Sequence, residues 1–222
     1  MMEKRFLPID LDIGKILEGL WFLGATSVRI LDEDFRVTLL KEAGDYVYEP
    51  EEELVGSGDR LVKQQVSSFR GFPDGSRYVI MLRNSFQDLL ELRLAELRSY
   101  PFETSFGFDS MALQRNQGGS IGITPHKDGL SYINLVCVFV VGGRGRFYVC
   151  SDRSGRGARE IDASPGNVIL MRAPGLFGPE DNRPFHFVTD IKETRYTFGL
   201  RQKRKPWYSL AGSATSFRLF RG

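Results

Sequence analysis

A chain of 222 residues with 41% hydrophobic and 26% charged side chains can bury one substantial core, which excludes a disordered polymer. Its net charge of +2 is too small to mark a nucleic-acid binder by itself, and no apolar run approaches the roughly 18 residues of a membrane-spanning helix. Aromatics reach 12%, with 17 Phe, a bias toward strands and apolar pockets.

The chain starts with a basic EKR, but Asp10, Asp12 and Glu18 interrupt the next stretch before a secretory apolar region forms, so a cytoplasmic protein is expected. Residues 1–104 read as a helical support layer. DEDFRVTLLKEAG has acids in its first turn and a glycine stop. SFQDLLELRLAELRSY has Ser85 as N-cap before a leucine stripe at helical spacing. The acidic stretch 45–61 reads as a solvated loop or a lid, and PDG in FRGFPDGSRYVIML signals a turn before a short strand.

Beyond residue 105 the pattern becomes strand after strand. SMALQRN, GSIGITPH, SYINLVCVFVV, GRFYVCS, AREIDA, GNVILMRA, RPFHFVTDI and TRYTFGLRQ are each short and bounded by Gly, Pro, Asp or Asn. Such spacing predicts an antiparallel sandwich or barrel. The expected class is α+β, mainly β: one domain with a jelly-roll-like core over 105–202, the helical layer before it and an extension over 203–222. Cys137 and Cys150 lie among apolar or β-branched residues, far from CxxC spacing. They read as two buried reduced thiols, with a cross-strand disulfide as the alternative.

The chain has two histidines, and GITPHKDG places His126 two residues before Asp128. In a strand, residues i and i+2 project to the same side; in a helix they splay by about 200°. Two imidazoles and one carboxylate on one face hold a divalent iron with positions left open, and the only other imidazole belongs to His186 in RPFHFVTDI. The spacing alone does not separate a metal site from a hydrogen-bonded core histidine. In TRYTFGLRQ, Arg195, Thr197, Gly199 and Arg201 alternate with Tyr196, Phe198 and Leu200. If the first set faces solvent, this is an ordinary amphipathic strand. If it faces the interior, two buried guanidiniums need an anionic partner, which a small dicarboxylate supplies by bidentate pairing with a further hydrogen bond from Thr197.

His126, Asp128, His186 and Arg195, in this order and spacing, resemble the signature of the Fe(II)/2-oxoglutarate-dependent oxygenase superfamily. Arg195-Tyr196-Thr197 is similar to its R-x-S/T element, and Arg201 is similar to a second arginine of the AlkB-like branch. The resemblance covers residues 105–202. It implies a double-stranded β-helix, a metal held by His126, Asp128 and His186, and 2-oxoglutarate held at its distal carboxylate by Arg195 and Thr197, with Arg201 near its keto-acid end. It also implies O2 as cosubstrate, ascorbate as a supporting reductant, and release of succinate. The Asn and Tyr that the AlkB-like branch carries before its HxD have no full match in LQRNQGGS; Gln114 or Asn116 stands in their place.

A small-molecule metabolite is the expected substrate. The arginine segment of Arg144, Arg146, Arg153, Arg156 and Arg159 reads either as a solvated hairpin or as a basic rim for nucleic acid, the partner of an AlkB-like demethylase. A protein hydroxylase and a non-catalytic binding module complete the alternatives, and the oligomeric state is not legible. Residues 173–187 are expected to wall the mouth of the site, with Phe177 or Arg183 touching substrate. Of Arg201, Lys203, Arg204 and Lys205, only Arg201 shares the inward face; Trp207 and Tyr208 are expected to stack a base or pack on the helices.

Overall fold

The computed structural model describes residues 6–8, 10–73 and 75–204, so Lys205, Trp207, Tyr208 and the Asp74 of the PDG turn lie outside the described residues. Among the described residues three α-helices form the N-terminal layer. Asp12 caps α1 (Ile13–Leu23), accepting from the Lys15 amide at 2.9 Å, and Asp32 caps α2 (Glu33–Asp45) through the Asp34 and Phe35 amides. Gly44 does not stop α2: it lies inside the last turn, and the extended Tyr46 ends the helix.

The third helix corrects two sequence expectations. α3 (Arg77–Ala95) follows Ser76, so Ser85 sits mid-helix and RYVIML is helical rather than a strand. The buried side chains Val79, Leu82, Phe86, Leu90 and Leu94 extend the leucine stripe backward at three- and four-residue steps.

Among the described residues there are also eleven strands. β1 (Ala25–Arg29) lies between α1 and α2; β2 (Glu49–Pro50), β3 (Leu54–Val55), β4 (Val62–Lys63) and β5 (Ser67–Phe69) lie between α2 and α3. After α3 come β6 (Ser110–Asn116), β7 (Ile123–His126), β8 (Tyr132–Cys150), β9 (Arg159–Ile161), β10 (Asn167–Arg172) and β11 (Phe185–Lys203). The acidic stretch 45–61 thus contains strand residues and a 3-10 turn (Gly58–Arg60), with β3 and β4 pairing as a hairpin.

The main sheet runs β1-β10-β8-β11-β6-β5-β2, with β7 added to β11 and β9 to β8. SYINLVCVFVV and GRFYVCS are one 19-residue strand, as are RPFHFVTDI and TRYTFGLRQ. Each long strand therefore serves two layers. The first half of β8 pairs with β10 and its second half with β9; the second half of β11 pairs with β6 and its first half with β7. The bend lies where the β8–β11 register shifts, between Thr189 and Thr197. Gly143 sits there at φ 78°, and a Cβ would overlap the Thr194 carbonyl, so only glycine fits this turn of the ladder. The result is an antiparallel double-stranded β-helix backed by helices, the α+β, mainly β class expected.

Alternation along the long strands divides the core. Cys137, Phe139, Val141, Phe198 and Leu200 face the helices and join Leu39, Leu82, Phe86 and Leu90 in one cluster. Val136, Val138, Val140, Phe147, Val149, Ile169, Met171 and Val188 face the barrel interior in a second cluster. Both cysteines are free thiols.

Candidate metal centre and its cavity

His126 ends β7 and His186 lies in the first half of β11, where the antiparallel register sets the two opposite one another. Their ring centroids are 4.3 Å apart. Asp128 lies just past the end of β7 rather than within a strand, yet its carboxylate still turns to the same side. One ligand atom from each of His126, Asp128 and His186 falls within 4.8 Å of the others, and among the described residues this is the group that could hold a metal.

The register depends on Gly122, which has φ 75° and sits where a Cβ would overlap the Val188 carbonyl of β11. The two strands can approach so closely because that side chain is missing.

Each imidazole is oriented by its backbone. Nδ1 of His126 lies 2.9 Å from the Thr124 carbonyl, and Nδ1 of His186 lies 3.4 Å from the Pro184 carbonyl. A carbonyl only accepts, so Nδ1 carries the proton in each ring and Nε2 presents its lone pair. Nε2 of His186 faces Asp128 Oδ1 at 3.9 Å, and the ring stacks on Phe147 with centroids 5.6 Å apart.

Burial pushes both imidazoles toward the neutral form. For His186 burial is reinforced by His126 and moves the group down to about 4. Burial alone would raise the Asp128 carboxyl, but the positive charge around it, that of Arg201 foremost, outweighs burial and holds the group below its ordinary value. Neutral imidazoles and an ionised carboxylate are the forms that ligate a divalent cation.

The second half of β11 supplies the other wall. Arg195 and Thr197 are 3% and 1% exposed, on the interior face as the alternation predicts, and Phe198 and Leu200 point into the helix-side core. Among the described residues, Arg195 Nε and Nη2 have no hydrogen-bond partner, nor do Arg201 Nε and Asp128 Oδ2. Arg201 Nε is 3.8 Å from Asp128 Oδ2, and its guanidinium lies over the Tyr132 ring. Desolvation without an anion pushes Arg195 down to about 10. These unsatisfied atoms line one cavity of about 80 Å³ together with His126, Asp128, His186 and Thr197.

Gln114 and Asn116 stand opposite Thr197 and Arg195 on β6 and line the same cavity. Asn116 donates to the Gln65 carbonyl at 2.9 Å. Sequence reading missed the apolar lining of Val66, Ile123, Val138, Phe147, Met171 and Val188. The period-two pattern of β8 and β11 contained that signal for all but Val66, Ile123 and Met171.

The loop after β10 behaves differently from expectation. Phe177 does not face the site: it packs edge-on against Trp21 with centroids 5.2 Å apart, and its amide donates to the Pro101 carbonyl. Arg183 reaches the site from behind. Its Nη1 donates to the Asp128 carbonyl oxygen, while Nε and Nη2 pair with Asp181 at 2.6 and 2.7 Å. Lys127 faces away from the ligands, its ammonium 5.0 Å from the centre of the Phe185 ring.

The arginine segment is largely paired on the surface. Arg144 meets Glu193 at 3.3 Å, Arg146 meets Glu160, and Arg156 meets Asp152 at 2.9 Å. Arg159 is exposed at the start of β9, and Arg153 stacks on Phe185. Among the described residues no helix is long and apolar enough to cross a membrane.

The sequence matches no protein-family model and no curated protein. The fold is similar to solved structures. A prolyl hydroxylase in complex with a hypoxia inducible factor oxygen degradation domain peptide fragment from Trichoplax adhaerens aligns at TM-score 0.64 and 14% identity, over 86% of this chain and 88% of that one. A 2OG-Fe(II) oxygenase family oxidoreductase from Burkholderia pseudomallei aligns at TM-score 0.59 and 14% identity, over 87% and 91%. OsALKBH1 aligns at TM-score 0.53 and 16% identity, over 81% and 98%. At these identities the likeness is one of fold.

Proposed function

We propose that the protein is a non-haem Fe(II)/2-oxoglutarate-dependent dioxygenase that hydroxylates a small-molecule metabolite. The observation that carries this reading is one cavity holding both a His-Asp-His donor set and a buried guanidinium with no counter-charge. The donor set fits iron: two neutral imidazole Nε2 atoms and one carboxylate leave further positions open. The orphaned Arg195 nitrogens fit the distal carboxylate of 2-oxoglutarate, which would satisfy them in a fork-to-fork pair, with Thr197 adding a hydrogen bond. When bound, iron with 2-oxoglutarate and O2 supplies the oxidising chemistry, linking decarboxylation to succinate with oxidation of a substrate C–H bond.

The chain's own residues orient and shield. Thr124 and Pro184 fix the imidazole tautomers, and Arg183 holds the Asp128 backbone. Val138, Phe147, Met171 and Val188 give the cavity an apolar wall beside the polar groups. Arg201 lines the cavity beside Asp128, placed to meet the keto-acid end of the cosubstrate, and Gln114 and Asn116 line the same cavity. Ascorbate would keep the iron reduced.

The small-molecule reading is placed ahead of an AlkB-like demethylase because three of the five arginines in the basic segment are occupied by surface acids. Purified protein given Fe(II), ascorbate, 2-oxoglutarate and O2 is expected to release succinate faster with a responsive fraction of a metabolite pool. Stimulation by alkylated single-stranded oligonucleotides alone would move the assignment to the demethylase. No succinate under any condition would remove the oxygenase reading.

A further inference from the structure

Asp128 and Arg201 face each other in the cavity and do not close. Both side chains are mostly buried, and both line the cavity that holds the donor set. Opposite charges shielded from water gain most from a charge-assisted hydrogen bond of about 2.7–2.9 Å. Here Nε of Arg201 stops 3.8 Å from Asp128 Oδ2, and neither atom has a hydrogen-bond partner among the described residues. The other carboxylate oxygen, Oδ1, is turned to His186 Nε2 at 3.9 Å.

Two neighbours fix the guanidinium. Its Cζ lies over the face of the Tyr132 ring, 5.3 Å from the ring centre. It also lies against bare backbone, because a Cβ at Gly199 would come within 2.6 Å of Nη1. The side chain therefore runs back along β11 in a slot bounded by the phenol ring and by the missing side chain of Gly199.

Tyr132 is within reach because β8 is bulged. Arg201 pairs with Val136, but the next residue of β11, Gln202, pairs with Ile133. Asn134 takes up the excess at φ 62°, a conformation asparagine tolerates. Its Nδ2 donates to Gln202 Oε1 at 2.8 Å and to Thr104 Oγ1 at 3.0 Å, which holds the bulge in place. The shift sets Tyr132 opposite Lys203, two residues from Arg201 and so on the same face of the sheet. With Asp128 and His186, Tyr132 lines a smaller recess next to the cavity.

We propose that Tyr132 is a positioning residue whose ring holds Arg201 away from Asp128. The carboxylate is thereby left free for the metal, and the guanidinium for an anionic group entering the cavity. The consequence for the metal rests on the oxygenase reading above; the bracing of Arg201 does not. Without the ring, Arg201 closes on Asp128, and the metal must compete with a guanidinium for its carboxylate ligand.

The test compares wild type, Y132F, Y132L, R201M and the Y132L/R201M double variant as full chains. Co(II) affinity, followed by the visible absorption of the bound ion, should fall at least about tenfold in Y132L, as for other disturbed outer partners of a ligand. It should stay at the wild-type level in Y132F. In the double variant it should return to within about twofold of R201M, because no guanidinium remains to occupy Asp128. Equal losses from Y132L with and without Arg201 would show that Tyr132 only supports the fold and would overturn the inference. Undiminished Co(II) affinity in Y132L would do the same. The metal-free chain gives a second readout. Its Arg201 Nε–H proton resonance should move downfield in Y132L, as the short bond to Asp128 forms, and stay in place in Y132F. An unmoved resonance in Y132L would overturn the bracing. A wild type that binds no Co(II) would count against the oxygenase reading instead, while the resonance still decides the bracing.

Discussion

Arg195 is the residue where stability and function pull apart. Its guanidinium is buried, two of its nitrogens are unpartnered, and desolvation has moved it down to about 10. A buried charge without a partner destabilises the fold, and an apolar side chain of similar length removes that cost. R195M is therefore expected to leave the urea midpoint of the ligand-free protein unchanged or raised. In the metal-loaded wild type, 2-oxoglutarate at a hundred times Kd should add about 2.7 kcal/mol of stability, and the variant should lose that gain. A lower midpoint in ligand-free R195M would mean the guanidinium has a structural partner. Arg183 acts at one remove, through the Asp128 carbonyl. R183M should weaken Co(II) binding about 10–100-fold, the usual cost of losing an outer partner of a ligand, with partial rescue in R183K. Equal Co(II) affinity in wild type and R183M would show the contact to be incidental. At this scale the grouping of His126, Asp128 and His186 and the inward side of Arg195 were legible, the first from side-chain type and spacing and the second from strand alternation. The role of Arg183 was not: the sequence offered it as a substrate contact, but it donates to a backbone oxygen, and no residue type marks such a target.

At the scale of elements, the strands were easier to place than to join. Ser110–Asn116 coincides with the expected strand SMALQRN, which its flanking turn residues set off. The glycines near Gly143 read as a turn between two strands, but they bend one strand through two layers, and only the partner strand β11 reveals it. α1 carries Ile13, Ile16, Leu17 and Leu20 at helical spacing, a signal obscured by the exposed Trp21 and Phe22 at its end. α3 was shortened because Tyr78, Val79 and Ile80 favour strands locally, and burial of Val79 and Leu82 against the sheet overrides that preference. Phe86 is the central contact of this helix, fully buried, edge-on to Phe139 of β8 at 4.9 Å and stacked on Phe108 at 6.0 Å. F86A should cost about 3–5 kcal/mol in equilibrium unfolding, the range for a buried aromatic truncated to alanine. A loss under about 1 kcal/mol, small for such a truncation, would show the helix to be only loosely docked.

For the whole molecule, helices and sheet share one cluster, so the support layer and the β-helix hold each other. The surface adds a pH dependence. Ion pairs and hydrogen bonds hold Glu33, Asp152, Glu160, Asp162 and Asp181 below their ordinary values, with Asp181 brought down to about 2 by Arg183. A carboxylate with a depressed folded-state value stabilises the fold above its unfolded value, because the unfolded chain binds more protons as pH falls. Stability should therefore be level near neutrality and decline as pH drops from about 4.5 toward about 2, with the lower part of that decline reduced in D181N. Urea midpoints measured across this range test it; a flat profile would contradict the depressed carboxylates.

The proposed function requires one cavity to take both a metal and a dicarboxylate. Calorimetric titration of 2-oxoglutarate into the Co(II)-loaded protein, beside the metal-free protein and R195M, tests it most directly. The metal-loaded wild type is expected to bind saturably, with affinity reduced at least about tenfold when either the metal or the guanidinium is removed, as for loss of a charge-assisted fork. Equal binding by the metal-free protein or by R195M would contradict the shared cavity.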